Sequence, residues 1–236
     1  MVAELAIRRW CEDGSVVFAV SGIGPDLAGV VSSVLENYTR TGPEWRRGYP
    51  ADTPYLEQAW ENLTAHVGTM LRQAARFDPV PWRNALREVC RRTSGQPVSW
   101  WLTGSAALAV RGAQLVPADL DVVCGAADAA VIGDLFADLL VDPVLPASAG
   151  GISEWSGRAF CGALIEWIGG GRCAVDHAYM TDFGPAAAAR LETVAFEGWQ
   201  IQVPPLDVQR LVSVQRGRAD RVAQIDALIG RPGQPS

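Results

Sequence analysis

The sequence predicts an α/β (α+β) fold: a mixed sheet flanked by helices, with an N-terminal lobe of a hairpin and helices in front of it. Three observations predict it. Strand-sized apolar runs alternate with segments of helical period from about residue 97 onward. Two β-type runs flank a tight-turn signal near the N-terminus. The chain has 236 residues, 49% hydrophobic and 19% charged, enough to bury a large core or a core with an added lobe. The expected division is an N-terminal lobe at 1–79 and the main α/β unit at 80–236.

In order along the chain, ELAIRRW and SVVFAV read as strands joined by the turn Glu12-Asp13-Gly14. A helix is expected from Pro25 through the stretch ending in NYTR, because Pro is suited to a helix start. Residues 41–54 carry three Pro and two Gly and read as a loop. Thr53-Pro54 then opens a long amphipathic helix running to about Phe77. Its apolar face is Leu56, Ala59, Trp60, Leu63, Val67, Met70 and Leu71. Asp78-Pro79-Val80-Pro81 breaks it, and WRNALREVCRRT is a second helix ended by Ser94-Gly95-Gln96-Pro97.

The alternation follows. VSWWLT is a strand, GSAALAVRG a short helix, DLDVVC a strand and AADAAVIGDLFADLL a helix. Val141–Pro146 is a short strand, and Pro146–Ile152 a loop of small residues. SGRAF and ALIEWIG pair around Cys161-Gly162, and CAVDHAY adds a further strand. Pro185–Phe196 is expected to be helical, WQIQV a strand, and Pro205–Ile229 one broken helix or two. The last residues, RPGQPS, are a frayed tail.

Composition narrows the function. All 20 basic residues are Arg, which excludes a lysine Schiff base and a P-loop lysine. The net charge of −6 disfavours broad coating of nucleic acid, although a local basic patch could still bind one. Cys11, Cys90, Cys124, Cys161 and Cys173 are odd in number and lack C-x-x-C spacing, so reduced and mostly buried thiols are expected. No apolar run approaches the ~20 residues of a membrane helix. The opening MVAELAIRRW lacks the layout of a secretory leader, so a soluble cytoplasmic protein is expected. Gly22-Ile23-Gly24-Pro25 is a poor dinucleotide loop, because Leu27 replaces the third glycine.

The chemistry concentrates between Trp101 and Cys124. Asp119 and Asp121 are two apart on a strand, so both carboxylates project from one face. Like charges this close call for a cation. Upstream, Gly104-Ser105 sits between a strand and a helix, where a glycine permits close backbone approach and a serine and free amides can hold phosphate oxygens. The plainer alternatives are a solvated strand start for the aspartates and a simple helix cap for Ser105.

Taken together, WLTGSAALAVRGAQLVPADLDVVC resembles the signature of the nucleotidyltransferase superfamily, which includes polymerase-beta-like enzymes and antibiotic nucleotidyltransferases. Thr103 departs from it, standing where an apolar residue is usual. The resemblance covers two dozen residues directly. It implies a nucleotidyltransferase-like mixed sheet, two Mg2+ ions on Asp119 and Asp121, and a third carboxylate on a later strand. Glu166 in ALIEWIG is preferred for that role because its strand is apolar on both sides, a costly place for an unpaired charge. Asp176, beside His177, is the fallback, and the family's usual residue there is Asp. The resemblance further implies phosphate contacts from Gly104 and Ser105, and ATP as the default donor of AMP.

The late basic segment RGRADR resembles one found in small-molecule nucleotidyltransferases, which makes Arg216, Arg218 and Arg221 candidates for the triphosphate. A solvated helix face paired with Asp220 is the competing reading. Arg111 is either a further nucleotide contact or a helix-end charge. Trp100, Trp101 and Trp167 are candidates for stacking on a base, and His66 is expected to be a packed or surface imidazole. The expected partners are a nucleoside triphosphate and an unidentified hydroxyl acceptor, with a small molecule favoured. The alternatives are a toxin-like or regulatory enzyme acting on RNA or protein, and an inactive nucleotide-binding module.

Overall fold

The computed structural model describes residues 5–147, 152–171 and 181–230. Strands β1 (Ala6–Glu12) and β2 (Ser15–Ser21) form the expected hairpin, with Asp13 and Gly14 both at positive φ, 48° and 75°, as the tight turn demands. The helix expected from Pro25 is cut short. Pro25–Val30 is 3-10 and α1 (Val31–Val34) is a single turn. Gly29, the β-branched valines and two serines make this a poor helical sequence.

The loop expected at 41–54 is instead largely strand. β3 (Thr39–Thr41) and β4 (Glu44–Pro50) turn at Gly42-Pro43, and β4 pairs with β2 from Ser15↔Pro50 to Val20↔Trp45. Its prolines sit in the turn and at the strand end, where no ladder donor is lost. The result is a four-stranded antiparallel sheet of order β1-β2-β4-β3.

Helix α2 (Leu56–Ala74) packs its apolar face on this sheet, and α3 (Trp82–Thr93) has the bounds its periodicity predicts. β5 (Trp100–Thr103), α4 (Gly104–Val110), β6 (Asp119–Cys124) and α5 (Ala126–Leu135) follow in the expected order. β7 (Leu140–Pro146), β8 (Ser153–Phe160) and β9 (Leu164–Gly171) complete a five-stranded sheet of order β5-β6-β9-β8-β7. It is mixed: β6 runs parallel to β9 and the other neighbours are antiparallel.

Pro185–Phe196 is helical only at α6 (Pro185–Ala188). β10 (Glu192–Phe196) pairs instead with β11 (Trp199–Val203) around Glu197-Gly198, both at positive φ. The Glu-Gly turn between two alternating runs is the signal that outweighs the alanine-rich start. Two helices, α7 (Leu206–Gln215) and α8 (Ala219–Ile229), end the described chain. Among the described residues, no helix is long and apolar enough to cross a membrane.

Two cores hold these parts. One lies between the five-stranded sheet, α3 and α5 and includes Leu86, Val89, Leu102, Ile132, Phe136, Ile165 and Trp167. The other joins the N-terminal sheet and α2 to Val141, Phe160 and Leu164 of the five-stranded sheet. Each buried side chain of this size stabilises the fold by about 1.5–3 kcal/mol. The N-terminal sheet is thereby fixed against the edge of the larger one on the β7–β8 side. Cys11, Cys90, Cys124 and Cys161 are free thiols, and Cys173 lies outside the described residues.

Candidate metal and nucleotide site

β6 carries Asp119 and Asp121 on one face, with Leu120 and Val122 buried on the other. The parallel register sets Asp121 directly opposite Glu166 on β9. One oxygen from each of Asp119, Asp121 and Glu166 lies within 4.8 Å of the others. Gly104 closes the group from the side. At φ 62° its backbone turns from β5 into α4, and Asp121 Oδ2 lies 2.0 Å from where a β-carbon would stand. Only a residue without a side chain leaves that carboxylate room.

Two residues not singled out from the sequence complete the surroundings. Buried Asp182 accepts a 3.4 Å hydrogen bond from the Gly104 amide, and its own carbonyl accepts from Trp101 Nε1 and Thr103 Oγ1. Arg216 Nη2 stands 3.9 Å from its carboxylate. Buried Arg158, on β8, is ion-paired with Glu166. Asp182 lies in irregular chain with no alternation to flag it. Arg158 had one weak signal, a charge amid the small and apolar residues of SGRAF.

The electrostatics follow from this crowding. Burial first, and then the neighbouring Glu166, push the Asp119 carboxyl up to about 6. Burial, then Asp119, Glu166 and Asp182, raise Asp121 well above the carboxylate range. Burial and Glu166 also raise Glu36, which reaches the same cleft from the N-terminal sheet's side of the molecule. Hard oxygen donors that ionise together only at a cost are suited to a divalent cation such as Mg2+.

A stability effect with a definite sign is expected. Asp119 binds its proton more tightly when folded (about 6) than when unfolded (near 3.8), so the native state gains protons relative to the unfolded state between those values. Stability of the metal-free protein should therefore fall as pH rises through 6, by about 1 kcal/mol between pH 5 and 8 from this group alone. Thermal midpoints with and without millimolar Mg2+ check this. The stabilising increment from the ion should grow from pH 5 to pH 8 and flatten in Asp119→Asn. An increment independent of pH would count against the assignment.

Two clefts flank Asp119. The first, of about 320 Å³, is lined by Asp119, Asp121, Glu166, Gly104 and Asp182, with Arg216, Arg218 and Arg221 on its wall. The second, of about 380 Å³, is lined by Ser105 and Asp119 with Arg76, Arg218 and Arg221. Gly104 and Ser105 thus face different clefts joined at Asp119; Arg218 and Arg221 reach both, and Arg216 the first alone.

Other expected residues are placed elsewhere. Arg111, expected at a nucleotide, lines neither cleft. Its buried guanidinium pairs with Glu192 and donates to the Pro204 carbonyl, tying the end of α4 to the β10–β11 hairpin. A cation buried this deeply needs such partners. Trp167 is buried in the core with its Nε1 donating to the Ala129 carbonyl. That ring is 1% exposed and offers no face to a base, whereas Trp100 is only partly buried, donates to Thr93 Oγ1 and lines neither cleft. His66 packs near the Phe160 ring, with centroids 4.9 Å apart. Asp176 and His177 lie outside the described residues.

No family model matches the chain, and no curated protein matches it either. Among solved structures it is similar to TM1012 of Thermotoga maritima, described as a candidate nucleotidyltransferase. The identity is 22%, the TM-score 0.48, and the match covers 63% of this chain and 92% of that one. It is also similar to ANT(2")-Ia in complex with adenylyl-2"-tobramycin, at 10% identity and TM-score 0.38, over 64% of this chain and 99% of that one.

Proposed function

We propose that the chain is an Mg2+-dependent nucleotidyltransferase that moves a nucleotidyl group, AMP from ATP, onto a hydroxyl acceptor. The observation that carries this reading is the trio of Asp119, Asp121 and Glu166 oxygens within 4.8 Å of one another, against the backbone of Gly104. That is the part of the signature that chemistry requires, brought together from two strands and a turn.

The donor set suits a hard divalent cation, with Asp119 and Asp121 as the principal holders and Glu166 completing the group. Magnesium bound there would polarise the α-phosphate and offset the charge of the departing pyrophosphate. The residues of the chain do the rest. Ser105 holds phosphate oxygens at the turn that Gly104 lets them approach, and Arg216 and Arg218 meet the triphosphate from the cleft wall. The acceptor oxygen forms a bond to the α-phosphorus while the bond to the bridging oxygen breaks and pyrophosphate leaves. Glu166, whose register faces Asp121, takes the hydroxyl proton.

A third carboxylate within reach favours an enzyme over an inactive binding module. A small-molecule acceptor is favoured, because Glu36 and Asn37 line the same cleft and make part of its wall acidic and polar. In this reading residues 1–79 are a lobe that shapes the acceptor side for the catalytic unit at 80–236.

A thermal-shift panel of nucleoside triphosphates with Mg2+ tests the reading, run on the wild type and on Asp121→Ala. The expected result is stabilisation by at least one nucleotide that needs both the metal and Asp121. Stabilisation that ignores either one would sink the catalytic assignment.

A further inference from the structure

One register row crosses all five strands of the main sheet: Thr103, Asp121, Glu166, Arg158 and Asp142. Residues paired across neighbouring strands share a face, so these side chains stand in a line. Its charged members run negative, negative, positive, negative. Asp142, at the far end, is already matched: Arg47 ion-pairs with it, the Tyr49 hydroxyl donates to it at 3.0 Å, and the Asn37 amide at 3.3 Å. Arg158 is therefore left to Glu166, its ion-pair partner. Arg158 Nη1 donates to the carbonyl of Val34 and its Nη2 also to that of Ser33, both in the N-terminal lobe, and these fix its position.

The charge count at the centre follows. Asp119, Asp121 and Glu166 supply three negative charges within 4.8 Å, and buried Arg158 returns one positive charge. The balance of two is the charge of a single divalent cation. Asp182 beside Gly104 and Glu36 across the cleft add two carboxylates, and Arg216, 3.9 Å from Asp182, and Arg221, on the cleft wall, offset them.

We propose that Arg158 is a built-in counter-ion of the carboxylate centre. It positions Glu166 and takes the electrostatic place of a second divalent cation, so that the protein without nucleotide holds one such ion, on Asp119 and Asp121. The N-terminal lobe, through the carbonyls of Ser33 and Val34, holds this counter-ion in place. The inference rests on the metal-binding reading above and departs from the two ions that the sequence resemblance implies.

Mn2+ binding to the full nucleotide-free chain, followed by the electron paramagnetic resonance signal of the free ion, tests it. Wild type should bind one Mn2+, and Asp121→Asn should lose it. Arg158→Gln should bind a second Mn2+ with an affinity within about tenfold of the first, because an uncompensated Glu166 then needs a cation. Arg158→Lys, which keeps the charge, should return to one ion. A merely structural arginine would change thermal stability in these variants without changing the number of ions bound. Should Arg158→Gln fail to fold, Arg158→Met, which removes the charge and keeps an unbranched side chain, takes its place: a second Mn2+ supports the proposal, and a single ion at wild-type affinity overturns it. Two ions on the wild type overturn it as well. One Mn2+ on the wild type, lost in Asp121→Asn but unchanged in Arg158→Gln, overturns the counter-ion and leaves the metal reading standing. No binding by the wild type or by Arg158→Gln overturns both.

Discussion

Asp121→Asn should reduce Mg2+-dependent release of pyrophosphate from ATP by about 10³-fold or more while making the metal-free protein harder to unfold. The two effects share one cause. Asp121 sits in a space shared with Asp119, Glu166 and Asp182, and burial and those charges raise its carboxyl well above the usual range. In the native state without a cation the group must either stay charged among like charges or take up a proton that the unfolded chain would not hold at neutral pH. Both options cost folding free energy. An amide of nearly the same shape has neither cost, and a gain of about 1–2 kcal/mol, or about 2–8 °C in thermal midpoint, is expected. The amide also removes the charge that a divalent ion needs from the residue nearest Gly104. Thermal unfolding in chelator, paired with a pyrophosphate assay, checks both halves. A variant that loses activity and stability together would point to a structural aspartate, whereas opposite movements are expected of a site whose chemistry is held at a cost to the fold.

The parts of this arrangement that were legible in the sequence are those governed by local rules. The α3 helix follows from its 3.6-residue apolar period, with bounds at Trp82 and Thr93. Asp119 and Asp121 share a face because a strand repeats every two residues, and Gly104 was readable as a close-approach position. Pairing Glu166 with them needed a longer inference, that an acid amid apolar strand residues must have a reason. The register that sets it opposite Asp121 is a tertiary fact. Arg158 and Asp182 escaped for the same reason. The predicted hairpin around Cys161-Gly162 did bring the strand of Arg158 against that of Glu166, where the register sets the two opposite, but its other partners, the carbonyls of Ser33 and Val34, and the contact of Asp182 with Gly104 join distant positions that no spacing rule links. Arg111 shows the converse. Its place at the end of the signature's helix suggested a phosphate, but Glu192, 81 residues away, holds it. In β4 Gly42-Pro43 and Pro50 marked the strand's ends rather than its absence, and Gly48 is accommodated inside it opposite Val17.

Gly104→Ala is the second large expected effect, and its size can be separated into two causes by an internal control. At φ 62° any L-residue is strained, which alone destabilises by about 1–2 kcal/mol. Gly95, at φ 71° with nothing within 4 Å of where a β-carbon would stand, carries that strain and nothing else. At Gly104 the added methyl would also meet Asp121 Oδ2 at 2.0 Å and its Cγ at 3.1 Å. Asp121 has to move, and the adjoining backbone gives little, since the Gly104 amide donates to Asp182 and its carbonyl accepts from Gln209 Nε2 at 3.4 Å. Gly104→Ala should therefore cost about 2–4 kcal/mol, about 1–2 kcal/mol more than Gly95→Ala, in matched urea titrations. The displaced carboxylate should also weaken Mn2+ binding by about tenfold or more, a loss that Gly95→Ala does not share. Equal costs at the two glycines, with Mn2+ affinity intact in both, would mean that the contact between Gly104 and Asp121 does not constrain the site. Unequal costs with a selective loss of the ion would tie the turn after β5 to the carboxylates of β6 by a steric requirement that only glycine meets.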